Sequence, residues 1–185
     1  MRGFREELVN RLSGFCQLSS QQIGQLEHHY VLLRKWNKVI NLTSIESEAE
    51  IIERHYCESI FLAVHLPEGA LRIVDVGSGG GFPGIPVAII HPESSVTLVE
   101  SHQRKAVFLR EATRDLPNVR VVAVRSDRLA ETFDWAISRA VSYAQIRKDL
   151  ARLASHVAIL TGENGNGIPL PWGRKRFLKL FHVKQ

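Results

Sequence analysis

A chain of 185 residues with 44% apolar content, 23% charged residues and a net charge of +5 fits one domain with a short extension. That balance excludes disordered, fibrous and collagen-like classes. No apolar run approaches the roughly twenty residues of a membrane span, and Met1-Arg-Gly-Phe-Arg-Glu-Glu carries acids where a signal core would be apolar, so a cytoplasmic protein without membrane contact is expected.

The first 65 residues read as helical. Phe4, Leu8, Leu12 and Phe15 recur at helical spacing until Ser13-Gly14 interrupts them. Ser19 or Ser20 can cap a second helix whose stripe is Ile23, Leu26, Tyr30, Leu33 and Trp36, with Asn41-Leu-Thr-Ser ending it. A third helix is expected from about Ser47, burying Ile52, Tyr56, Ile60 and Ala63 and stopping at Pro67-Glu-Gly. Cys16 and Cys57 read as free thiols in these helices, and no Cys/His cluster has metal-ligand spacing.

After Gly69 short apolar strands alternate with helices. Strands are expected at 71–76, 95–100, 119–124, 133–138 and 156–160, with helices at 85–90, 103–115 and 142–154 between them. This rhythm implies an α/β fold, a doubly wound, mostly parallel sheet covered on both faces. Residues 177–183 can add a last antiparallel strand, and the short stretch 161–171 leaves room only for an abbreviated hairpin around Pro171-Trp-Gly173. Residues 1–68 then form a helical extension and 69–185 the main domain.

Between the first strand and its helix runs Asp75-Val-Gly77-Ser-Gly79-Gly-Gly81-Phe82-Pro-Gly84. Glycines let the backbone approach a ligand closely, and the following helix start offers free amides. Such a loop lies at the carboxyl ends of the strands, where open parallel sheets bind ligands. The pattern GxGxxG is satisfied from Gly79, so a dinucleotide fold must be weighed. However, Asp75 sits badly beside a pyrophosphate and well near the cationic end of S-adenosylmethionine. Glu100, closing the second strand, can accept two ribose hydroxyls in either case.

In order, the chain carries Trp36-Asn-Lys with Asn41-Leu-Thr-Ser44, Arg54-His55-x-x-Glu58-Ser59, the loop 75–86 ending GFPGIP, Lys105-x-x-Phe-Leu-Arg110 and Ile137-Ser-Arg139-Ala. Over residues 20–160 it resembles the RsmG (GidB) family, ribosomal RNA small-subunit methyltransferase G. The resemblance implies a Rossmann-like methyltransferase domain, S-adenosyl-L-methionine as cofactor, and methylation of guanine N7 in 16S ribosomal RNA. It also implies that RNA or the small subunit as the partner; a monomer is expected.

At matching positions it implies that Gly77 and Phe82 contact the cofactor around the loop, where Asp75, Gly79 and Gly81 are further candidate contacts. Glu100 would hold the ribose, and Ser126 with Asp127 the adenine. Arg139, at the mouth, would contact the cofactor or orient the guanine as the catalytic arginine. Its structural alternative is an ion pair with Asp134 or Asp75. Phe82 and Trp135 are candidate stacking surfaces for the base, although a tryptophan in a strand more often belongs to the core. His55 and Glu58 are expected to support the loop as a polar network rather than act directly.

Two positions depart from the family pattern: Thr161 stands where a lysine precedes the glycine after the fifth strand, and Glu58 replaces an aspartate. From Pro169 to Gln185 five bases (Arg174, Lys175, Arg176, Lys179, Lys184) meet no acid, leaving 19 bases and 19 acids elsewhere. Arg174, Lys175 and Arg176 are therefore candidate RNA contacts; a solvated hairpin guarding a sheet edge explains the same charge. Two other functions stay open: a non-catalytic RNA- or ribosome-binding module on a methyltransferase scaffold, and a methyltransferase with another substrate.

Overall fold

The computed structural model describes residues 3–139, 143–162, 167–173 and 175–183. Among them, seven strands form one sheet in the order β3-β2-β1-β4-β5-β7-β6. These are β1 (Arg72–Val76), β2 (Ser95–Val99), β3 (Val119–Val122), β4 (Phe133–Arg139), β5 (Ala154–Thr161), β6 (Ile168–Pro169) and β7 (Phe177–His182). β1 to β5 are parallel, whereas β7 runs antiparallel to both β5 and β6. The sheet is thus the expected mixed, mostly parallel Rossmann-like type. β1 lies inside the sheet between β2 and β4, so the chain leaving β1 emerges where the strand order reverses.

Alternate strand residues bury on opposite faces. Ile73, Leu98, Ile137 and Ala158 join one apolar cluster with α5 (Gly84–Ile90), α6 (Gln103–Ala112) and the amino-terminal helices. Val74, Val99, Ala136 and Val157 join a second cluster with Ile146, Leu150 and Leu153 of α7 (Tyr143–Leu153). Each fully buried aliphatic side chain contributes about 1.5–3 kcal/mol, so burial on both faces fixes the register of the central strands.

The amino-terminal helices are α1 (Phe4–Leu12), α2 (Ser20–Trp36), α3 (Glu48–Ile51) and α4 (Glu58–Ala63). Ser19 caps α2 with a full capping box to Gln22. The predicted stripe is buried at Leu26, Tyr30 and Leu33, while Ile23 and Trp36 are half-buried. Between α3 and α4 the helix widens into a π turn, Ile52–Cys57. There the Ser59 hydroxyl bonds back to the His55 carbonyl at 2.5 Å, a contact that loosens helical geometry. The wider turn leaves His55, Tyr56, Cys57, Glu58 and Ser59 all buried in succession, which ordinary helical periodicity does not predict.

The carboxyl-terminal hairpin is as short as expected, with Leu170 N–H bonded to the Arg176 carbonyl. It returns to the start of the chain, where Trp172 Nε1 donates to the Arg11 carbonyl at 3.2 Å and its ring packs by Phe15 and Phe61. Cys16 lies in the loop after α1, not in a helix. Among the described residues no helix is long and apolar enough to cross a membrane, and no group of three or more His, Cys, Asp or Glu side chains could hold a metal.

Candidate functional site

The chain leaves β1 at Val76 and crosses the end of β2, where the Gly77 and Ser78 amides both donate to the Val99 carbonyl (2.9 and 3.1 Å). The Gly79 amide donates to Glu100 Oε2 at 3.0 Å, and the Gly81 and Phe82 amides to the Ser78 carbonyl. Gly77, Gly79 and Gly81 all have positive φ. Gly81 requires glycine twice over: its φ is +87°, and a Cβ would strike the Ile85 side chain.

The start of α5 does not offer the free amides that the sequence suggests. Gly84 N–H donates to Asp75 Oδ2 (3.0 Å), Ile85 N–H to the Gly81 carbonyl and Val87 N–H to Pro83, while Pro86 has no donor. The arch of the loop faces the cleft instead.

That cleft is a cavity of about 570 Å³ lined by Gly77 to Gly80 and Phe82, and by Glu100, Lys105, Arg139, His55 and the turn 41–45. A smaller one of about 280 Å³ continues past Gly77 and Glu100 to Ser126 and Ile146. Gly77 and Glu100 line both, so the two form one elongated cleft over the carboxyl ends of the strands. A separate cavity of about 710 Å³ is lined by residues 9 and 12–18, with no charged side chain among the described residues.

The expected site residues separate into those the fold brings to the cleft and those it does not. Gly77, Gly79, Phe82, Glu100 and Arg139 line its larger part, and Ser126 the smaller. Glu100 accepts one backbone hydrogen bond on each oxygen, from Gly79 and His102, which leaves a lone pair on each for a ligand hydroxyl. The Ser126 hydroxyl is engaged with Asp149 Oδ2 at 2.5 Å. Gly81 is turned away behind the arch.

Asp75 lies under the loop and outside the lining of the cleft. Its side chain is fully buried beneath the loop, with Oδ2 committed to Gly84 and Oδ1 without a hydrogen-bond partner. Burial raises its pKa to about 7, against the pull of the Gly84 amide. Asp127 also stands apart: it is exposed, 3.5 Å from Arg125, and lines neither part of the cleft. Phe82 is 6% exposed and stacked on the His55 ring (4.6 Å, 16°), so that face is closed to a guanine. Trp135 belongs to the core and stacks on His156.

Arg139 pairs with neither Asp134 nor Asp75. Its Nε lies 3.6 Å from Glu58 Oε2, and its Nη1 donates to His55 Nδ1. The Asp134 carboxylate instead accepts the Arg72 amide at 2.7 Å. Burial lowers the Arg139 pKa to about 10, opposed by Glu58, so the guanidinium stays charged. His55 Nε2 meets Thr43 Oγ1 at 2.7 Å. With Nδ1 accepting from Arg139, Nε2 carries the proton and donates to Thr43. Burial and the adjacent Arg139 hold its pKa far below the usual histidine value, so His55 is neutral with both nitrogens occupied.

Arg176 is not a free surface base. It forks onto Glu58, with Nε to Oε1 at 3.0 Å and Nη2 to Oε2 at 2.6 Å. Lys175 is exposed with φ +61°; Arg174 lies outside the described residues. The cleft wall at 41–45 is organised by Asn37, whose Oδ1 accepts the Leu42 and Thr43 amides and whose Nδ2 donates to the Thr43 carbonyl. The cleft-lining role of Lys105 was legible in sequence only as a base at a helix start. Cys57 is fully buried, and burial pushes its thiol up to about 12.

A profile of the GidB family, described as rRNA small subunit methyltransferase G, matches residues 22–163. Proteins named ribosomal RNA small subunit methyltransferase G are similar to this chain. One from Roseiflexus castenholzii is 42% identical over 134 residues, covering 68% of the chain and 57% of the relative. One from Geobacter metallireducens is 36% identical over 159 residues, covering 80% and 72%. The chain spans 57% and 62% of the lengths of the Roseiflexus castenholzii relative and one from Chromobacterium violaceum.

Two solved structures share the fold. The 4+2 cyclase SpnF superposes with a TM-score of 0.54 at 18% identity, over 80% of this chain and 63% of its own. A candidate RNA methyltransferase from Pyrococcus horikoshii does so with 0.50 at 13%, over 71% and 72%. That a cyclase appears beside a methyltransferase shows that the fold alone does not state the reaction.

Proposed function

The chain belongs to the GidB family, rRNA small subunit methyltransferase G, and from that premise we propose that it methylates N7 of a guanine in 16S ribosomal RNA with S-adenosyl-L-methionine. The observation that carries this reading is the cleft itself. A glycine arch, the two free lone pairs of Glu100 and a buried charged Arg139 lie along one trough at the switch point of the sheet. Those donor and acceptor types fit the cofactor: a diol for Glu100, a carboxylate for arginine, and a flat arch that admits a chain without steric hindrance.

In this reading residues 1–68 form a helical extension and 69–185 the methyltransferase domain. Gly77 and Gly79 hold the middle of the cofactor, Glu100 the ribose, and Ser126 stands at the adenine side. Asp75 and Gly81 brace the loop from behind, and Phe82, stacked on His55, forms part of the cleft wall. Arg139, which lines the cleft and is anchored by Glu58 and His55, is the catalytic arginine that orients the reacting partners. Lys105 and Lys175 supply positive charge for RNA phosphates.

When bound, S-adenosylmethionine supplies an electrophilic methyl group on sulfur. Guanine N7 presents an in-plane lone pair and loses no proton, so no general base is needed, consistent with a neutral His55 whose nitrogens are both occupied. The residues of the chain orient, exclude water and stabilise charge. Transfer of labelled methyl to small subunits lacking the modification tests the proposal; cofactor binding without transfer would refute it.

A further inference from the structure

The peptide joining Gly80 to Gly81 lies within the run Gly79-Gly80-Gly81, where no side chain restrains the loop. Two adjacent glycines tolerate either sign of φ, so the plane between them can flip at little steric cost. The structure pins it at both ends. The Gly81 amide donates to the Ser78 carbonyl at 2.7 Å, and the Gly80 carbonyl accepts from His29 Nε2 at 3.0 Å.

His29 comes from a different element, the middle of α2, and is 1% exposed. Its Nδ1 faces the Tyr56 hydroxyl at 2.9 Å. Because a carbonyl only accepts, Nε2 must carry the proton, so Nδ1 accepts from Tyr56. The hydroxyl thereby selects the tautomer that can hold the loop. Leu33, one helical turn on, lies 3.2 Å from where a Cβ on Gly80 would stand, so α2 presses the loop from the same side. The His29 ring also meets Phe82 edge-on at 5.1 Å.

We propose that His29, oriented by Tyr56, is a positioning residue that fixes the Gly80–Gly81 peptide and so keeps the glycine arch in its cofactor-receiving shape. The proposal rests on the methyltransferase reading for the identity of the cofactor, but not for the pin. A core histidine that merely fills space needs its volume; a pin needs a donor at the Nε2 position. Glutamine places an amide N–H there, whereas leucine keeps bulk without a donor. Tyr56→Phe removes the tautomer selection while leaving His29 in place.

The test compares wild type with His29→Leu, His29→Gln and Tyr56→Phe by amide hydrogen exchange of the free protein and by calorimetry with S-adenosylhomocysteine. Losing a buried hydrogen bond is worth about a factor of ten. His29→Leu is expected to speed exchange at Gly81 and Phe82 about tenfold more than at the β1 amides and to weaken binding about tenfold. His29→Gln should restore both to near wild type, and Tyr56→Phe should fall between. Equal losses in the leucine and glutamine variants, with loop and β1 amides exchanging in step, would overturn the pin. So would unchanged loop exchange in His29→Leu. If wild type itself fails to bind S-adenosylhomocysteine, the methyltransferase reading fails, and the loop exchange alone decides the role of His29.

Discussion

Arg176 and Glu58, 118 residues apart, form a forked ion pair that carries the carboxyl-terminal hairpin onto the first residue of α4. Glu58 is 2% exposed and also faces Arg139. One buried carboxylate therefore joins the chain's last hairpin to the mouth of the cleft. Removing Arg176 leaves that carboxylate with a single, more distant cation.

Arg176→Met should accordingly lower the unfolding free energy by about 3 kcal/mol, the low end for breaking a buried pair, because Arg139 remains. Urea denaturation measures it. The double variant Glu58→Leu with Arg176→Met should lose less than the single one, since no charge is then stranded.

Gly84 stands where α5 crosses β1 and β2. A Cβ there would run into Leu98 and lie 2.6 Å from Asp75 Oδ2. Gly84→Ala should cost about 1–3 kcal/mol by overpacking and weaken cofactor binding by disturbing the Asp75 contact. Thermal unfolding with and without S-adenosylhomocysteine separates the two losses.

Stability should rise with pH between about 4 and 6.5. Burial lowers His29 to about 4, and burial with Arg139 lowers His55 further, so the unfolded chain binds two protons that the native state refuses. Their contribution is complete above the unfolded histidine pKa of 6.5 and is lost as pH falls through the folded values. Asp75 acts oppositely: raised to about 7, it favours the native state below 3.8 and loses that contribution as pH rises through 7. Two histidines against one carboxylate leave a net proton, a slope of about 1.4 kcal/mol per pH unit from these groups. In pH-dependent urea titrations His29→Gln should flatten the slope and Asp75→Asn should steepen it.

Glu100 and Asp127 should differ sharply. Glu100 faces both parts of the cleft, whereas Asp127 is exposed beside Arg125. Glu100→Ala should weaken S-adenosylhomocysteine at least about tenfold, the equivalent of one or two lost hydrogen bonds. Asp127→Ala should change it by less than about twofold, within the range of an exposed charge. Calorimetry on both variants decides.

The alternation of strand and helix after Gly69 was legible because apolar runs bounded by turn residues need only local pattern. β6 was not, since a two-residue strand has no period of its own and exists only by pairing with β7. The loop could be placed from Asp75 and its glycines, yet not the burial of Asp75, which depends on Gly84 closing over it. Arg176 looked like a phosphate ligand because a sequence displays charge but not a partner 118 residues away. The π turn escaped for a related reason: helical spacing assumes a uniform pitch, and Ile52–Cys57 departs from it.

The central claim is methylation of one guanine at N7 in 16S ribosomal RNA. Mass spectrometry of that RNA, from cells with the protein and cells without it, tests reaction, base and position together. One 7-methylguanosine is expected to be missing without the protein, to return with the wild-type chain and not to return with Arg139→Ala. Identical methylation in both cells, or restoration by Arg139→Ala to the wild-type level, would contradict it.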